Sequence, residues 1–190
     1  TVIATALGTL AALGLSRPHM PYKGLIMAIL ISPMIVPLII TAAGMFFFYA
    51  RINLVYTFTG VILAHVALAT PFVVITVTAT LVGFDMNMVK AAQSLGAKPI
   101  RTFFKVIMPL ILPGIISGAL FAFITSFDEV VVVMFMASID QLTIPKQMWA
   151  GIRQEISPVI LCMATCLVLL SIFLLTTVEL LRRRSEKLRG

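Results

Sequence analysis

The chain has 190 residues, 61% of them hydrophobic and 11% charged, with a mean hydropathy of +1.12. A soluble domain is roughly half apolar and a quarter charged, so this composition excludes a soluble globular fold of this size. The formal charge of +7 is carried by basic residues scattered between apolar runs, a pattern that reports membrane orientation rather than nucleic-acid binding.

Long uncharged stretches occur at 24–50, 52–84, 106–127 and 156–178, and a bilayer crossing takes about 20 apolar residues. With the shorter apolar run at the start, the expected spans are 1–15, 24–48, 58–83, about 106–127 and 158–180. The run 1–15 has no initiator Met, no basic n-region and no small-residue cleavage site. It reads as the inner part of a span whose beginning is missing, so six spans are expected in the intact chain. Pro33, Pro37, Pro71, Pro109 and Pro113 fall in or beside these helices, where each removes a backbone hydrogen bond and permits a kink. No stretch has β-barrel alternation and no repeat is visible. The fold class is therefore all-α, a polytopic transmembrane helix bundle forming one domain over 1–190.

Charge sets the expected topology. Arg17 and Lys23 follow the first span, Lys90, Lys98, Arg101 and Lys105 the third, and Arg182, Arg183, Arg184, Lys187 and Arg189 the last. The alternate loops hold only Arg51, Lys146 and Arg153. The positive-inside rule places the first set, including the basic tail 181–190 and the C-terminus, in the cytoplasm.

The connection 85–105 between the third and fourth spans is not a plain polar linker. Met88, Ala91, Ala92 and Leu95 have helical spacing, Gly96 follows, and a second amphipathic stretch contains Phe103, Phe104 and Ile107. Gly96 supplies a helix stop with left-handed backbone. Two readings fit these residues equally: a helix resting on lipid headgroups, or an element that docks a partner.

The residue order distinguishes the two. Lys90-Ala91-Ala92-Gln93-Ser94-Leu95-Gly96-Ala97, with Phe103, Val106, Pro109 and Pro113-Gly114 downstream, resembles the loop motif of the inner-membrane permease subunits of type I ABC importers. The resemblance runs over the whole chain. It implies that 85–105 carries a cytoplasmic coupling helix seated in a cleft of an ATPase, with Lys90, Ala91, Ala92, Gly96, Ala97, Phe103 and Pro109 as the coupling residues. Small alanines allow close packing there. The family's Glu is Lys90 here, so the partner surface differs locally or Lys90 points away from the contact.

Asp128 and Glu129 interrupt an apolar run from 106 to 137, which is too long for one straight crossing of a roughly 30 Å hydrocarbon core, so the chain must bend there. Adjacent acids are costly in lipid and should face a cavity, a partner or the outer water. Neighbours on a helix point about 100° apart, so one acid is expected to face inward rather than both. The segments Ser126-Phe127-Asp128-Glu129-Val130-Val131 and Leu142-Thr143-Ile144-Pro145-Lys146-Gln147-Met148-Trp149 are similar to those of the spermidine/putrescine branch of the family. That resemblance implies that Asp128 or Glu129 attracts a polyamine's ammonium groups along the path. The structural alternative, an acid that pairs a lysine or caps the helix break, stands beside it.

The segment 138–157 is expected outside the membrane as an amphipathic helix carrying Trp149, either at the lipid interface or against a docked binding protein. Cys162 and Cys166, four apart on the last span, read as small apolar residues in a helix interface. His19 and His65 read as polar packing residues rather than metal sites.

There is no G-x-x-x-x-G-K-[ST] loop and no nucleophile elbow or metal-ligand helix. The chain is therefore not read as an enzyme. The resemblance implies ATP and Mg on a separate cytoplasmic ABC ATPase dimer, a second permease subunit, an extracytoplasmic substrate-binding protein and a bacterial inner-membrane location. The competing classes are an ion-gradient-driven secondary transporter, which would want repeated halves and midplane charges, and a membrane anchor subunit.

Overall fold

A computed structural model of the protein describes residues 1–17, 19–154 and 157–187. Pro18, Glu155, Ile156, Leu188, Arg189 and Gly190 lie outside the described residues, so the expectations for the end of the basic tail and part of the outer segment fall there. Among the described residues the elements are helical: α1 (Val2–Leu15), α2 (Lys23–Ile35), α3 (Leu38–Arg51), α4 (Phe58–Val82), α5 (Met86–Ser94), α6 (Pro99–Thr102), a π-helical turn (Phe103–Ile107), α7 (Met108–Phe127), α8 (Val131–Met136), α9 (Ile144–Gln154) and α10 (Pro158–Lys187).

Among the described residues three helical segments are long and apolar enough to cross a membrane: Phe58–Val82, Pro99–Phe127 and Pro158–Thr177. α1 is a shorter apolar helix. The expected single span 24–48 is instead two helices, α2 and α3, bent by 108°. Chain chemistry explains the break. Pro37 lacks an N–H and disfavours helical backbone at the residue before it, and Val36 is accordingly extended, at φ −72° and ψ 135°. One turn earlier Pro33 leaves the Ile29 carbonyl without its helical donor, and the Ser32 hydroxyl donates to that carbonyl at 2.8 Å instead. The fourth span also starts earlier than expected, because the helix is continuous from Pro99. Its π turn ends two residues before Pro109, whose ring would otherwise crowd the Lys105 carbonyl.

α4 is the centre of the bundle and packs against α1 and α7. One core cluster joins Ala4 and Ala12 of α1, Val66, Ala69, Val73 and Val77 of α4, and Ile111, Ile115 and Ala122 of α7. A second joins Ala42 of α3, Ala64 and Leu68 of α4, and Val132 and Met136 of α8. Lipid tails are as apolar as leucine, so helix association in a membrane relies on close backbone approach rather than on hydrophobic exclusion. Gly114 and Gly118 of α7 provide that approach: a methyl at Gly114 would collide with Thr80 Oγ1, and one at Gly118 with Thr76 Oγ1 and, at 2.9 Å, the Val73 Cα. At Gly8 of α1 a methyl would lie 2.6 Å from Val73 Cβ. The threonines on this face donate to carbonyls of their own helix, Thr76 to Phe72 O at 3.0 Å and Thr80 to Thr76 O at 2.9 Å, which satisfies their hydroxyls without water.

α10 is apolar along its membrane window yet buries none of it against the chain. Cys162 and Cys166 are exposed on that helix, not held in an interface within this chain as their spacing suggested.

Candidate functional site

The loop between α4 and α7 folds as a compact unit. Asp85 caps α5, its Oδ1 accepting from the Asn87 N–H at 2.9 Å. At the other end Gly96 has φ +80°. Its N–H donates to Gln93 O at 2.9 Å and the Ala97 N–H donates to Ala92 O at 3.0 Å. Those two bonds form a Schellman closure with glycine in the left-handed position, so the spacing of Ala92, Gly96 and Ala97 is a backbone requirement. Nothing lies within 4 Å of a Cβ built at Gly96; the glycine is needed for its φ, not for close packing within this chain. Lys98 then ends the turn in extended conformation and Pro99 opens α6 at its first position.

Lys90, Ala91 and Gly96 are exposed and Ala92 and Ala97 half-buried. Leu95 is 89% exposed and Ile100 74% exposed, so the turn projects apolar side chains away from the bundle. Phe103 and Pro109 are elsewhere: Phe103 lies in the π turn, stacked edge-on to Phe104 with ring centroids 5.0 Å apart, and Pro109 sits in the first turn of α7. The structure thus places Lys90–Ala97 on the second half of α5 and the turn that closes it, and leaves Phe103 and Pro109 at the root of the spanning helix that follows. Among the described residues α5 makes its main contacts with α6 and the π turn, which lead into the base of α7.

The two carboxylates separate. α7 ends at Phe127 and α8 begins at Val131, which puts Asp128 and Glu129 in the bend. Glu129 is 6% exposed. Its Oε1 accepts from the Val132 N–H at 2.7 Å, capping α8, and the residue also lines a cavity of about 370 Å³ with Pro33, Ile35, Pro37, Phe72 and Thr125. This is the cavity at the α2–α3 break, where the Pro33 carbonyl faces a proline in place of its helical donor. A carboxylate with about four acceptor positions retains capacity beyond one backbone bond. Asp128 is exposed and lies on a different cavity, of about 500 Å³, between α7, α9 and α10. Of the two acids Glu129 is the buried one, and its bond from the Val132 N–H caps α8 at the helix break.

Two features of the site left little or no mark in the sequence. The break at Val36 was visible only as prolines four apart, which a kink explains equally. The hydrogen bond of 3.0 Å between His65 Nδ1 and Ser126 Oγ, linking α4 to α7 one turn from the acids, had no signal because it joins residues 61 apart in sequence.

The family model described as binding-protein-dependent transport system inner membrane component matches residues 4–187. The spermidine/putrescine transport system permease protein PotC of Haemophilus influenzae is 31% identical over 184 residues, covering 97% of this chain and 72% of that protein. The putrescine transport system permease protein PotI of Escherichia coli is 36% identical over 103 residues, 54% of this chain and 37% of that protein. Among solved structures, an inward-facing conformation of the MetNI methionine ABC transporter matches with a TM-score of 0.74 at 18% identity, over 97% of this chain and 88% of the other. That likeness is one of fold.

Proposed function

The chain belongs to the family of binding-protein-dependent transport system inner membrane components, the permeases of ABC importers, and from that premise we propose that it forms half of the translocation path for a polyamine, spermidine or putrescine first. Glu129 carries the cargo class: a buried carboxylate in the wall of a cavity where a span is broken and the Pro33 carbonyl lacks its helical donor. Carboxylate and carbonyl oxygens at a discontinuous helix suit an ammonium ion, and the same cavity repels anions. Likeness to the polyamine permeases supports the same cargo.

In this reading the Gly96 turn is the cytoplasmic coupling element. The exposed Leu95 and Ile100 fit a cleft of an ABC ATPase dimer, where ATP and Mg act. Closure of that dimer moves α5, the movement passes through α6 and the π turn into α7, and the α7–α8 bend carrying Glu129 shifts against the α2–α3 break. A second permease chain completes the path and an extracytoplasmic binding protein delivers the cargo. The membrane is the bacterial inner membrane, with the C-terminus in the cytoplasm. No observation among the described residues favours a secondary transporter or an anchor.

The test is uptake of labelled putrescine by the assembled transporter carrying Glu129→Gln. The glutamine carbonyl can still cap α8, so only the charge is lost. Losing a charge-assisted contact is worth about tenfold or more in affinity, and uptake should fall by that order while the ATPase remains bound. Undiminished uptake in Glu129→Gln would remove the path assignment.

A further inference from the structure

We propose that the groove between α7, α9 and α10 holds a phospholipid with an amine-bearing headgroup, as a site separate from the cargo path. The groove is a cavity of about 500 Å³ with walls of Phe123, Phe127, Leu167, Val168 and Trp149, and Asp128 at its edge. A second cavity, of about 270 Å³, adjoins it through Trp149 and is lined by Lys146 and Arg153. One tryptophan therefore divides an apolar compartment from a basic one.

That division is the pattern of an amphiphile with a long apolar tail and an anionic group. The two cations are available for it. Lys146 Nζ donates to Ala137 O and Ser138 O only at 3.5 Å, the limit of a hydrogen bond. The Arg153 guanidinium lies 5.5 Å from the Trp149 ring centre, a cation–π placement that holds it over the ring while leaving its N–H groups free in direction. Among the described residues neither cation has a carboxylate partner. Asp128 at the groove's edge would repel a purely anionic headgroup and attract an ammonium, which selects a zwitterion of the phosphatidylethanolamine kind.

The surroundings supply the tail's environment. α10 buries none of its apolar membrane window against the chain, and α9 is amphipathic, with Lys146 and Arg153 on the same helix as Trp149, the residue types that settle at the headgroup level. An acyl chain between α7 and α10 fills a gap that side chains of this chain leave open.

The test uses the full chain with its co-purifying subunits, reconstituted in vesicles of equimolar phosphatidylethanolamine and phosphatidylglycerol, re-extracted, and weighed by native mass spectrometry. The wild type should retain one phosphatidylethanolamine. Lys146→Gln with Arg153→Gln should lower its occupancy about tenfold; Ala164→Phe, which fills the groove from α10, should expel it; Asp128→Asn should erase the preference over phosphatidylglycerol. Arg51→Gln, a cation that lines neither cavity, should change nothing. Retention that is equal in the wild type and the Lys146/Arg153 variant, a wild-type preference for phosphatidylglycerol, or a polypeptide found in place of a lipid would each overturn the assignment.

Discussion

Replacing Gly96 separates backbone conformation from side-chain contact in the turn proposed to couple to the ATPase. The residue sits at φ +80° with open space around the position of a Cβ, so Gly96→Ala meets no collision and its effect is conformational alone. An L residue in the left-handed region costs about 1–2 kcal/mol, which lowers the population of the closed turn by about 5- to 30-fold. Opening it releases the Gly96-to-Gln93 and Ala97-to-Ala92 bonds, frays the end of α5 and loosens the Leu95 and Ile100 surface. Asparagine tolerates the left-handed region better, so Gly96→Asn should recover most of what Gly96→Ala loses, and Gly96→Val should be worst. The assay measures transport together with the amount of ATPase subunit that co-purifies with each variant. If Gly96→Asn is as damaging as Gly96→Val, or if Gly96→Ala leaves both readouts at wild-type level, the left-handed closure is not what the turn contributes.

Gly118→Val should destabilise the extracted protein by about 1–3 kcal/mol through overpacking against Thr76 and Val73, seen as a lowered melting temperature; Gly44→Ala, in a helix with nothing near its Cβ, should not lower it. Ser126→Ala removes one hydrogen bond to His65 and should cost about 0.5–1.5 kcal/mol in the same melting assay, with Ser126→Thr milder. Pro37→Ala restores an N–H at the α2–α3 break and should straighten it, lengthening the distance between spin labels at Leu25 and Phe47; an unchanged distance would mean that tertiary packing, not proline, holds the bend.

The apolar runs were legible because lipid solvates each span individually, so hydropathy along one dimension nearly suffices. Gly96 was legible for a related reason: a Schellman closure is a local backbone rule and leaves its mark within six residues. The division of labour between Asp128 and Glu129 was only half legible. Their spacing on a helix says that they diverge, but which one turns inward depends on where α7 ends and on the α2–α3 break, about ninety residues earlier in the chain.

The sequence by itself determined a helical membrane protein with a glycine-stopped loop between its third and fourth apolar runs, because transfer into lipid and left-handed backbone are properties of short segments. Only the tertiary structure decided that the second run is two helices at 108°, that Glu129 lines the cavity beside their break, and that Trp149 is shared by an apolar groove and a cavity lined by two cations. Those outcomes depend on which helices approach closely enough at Gly114 and Gly118 to pack, and steric fit between distant residues is not written in any one stretch of chain.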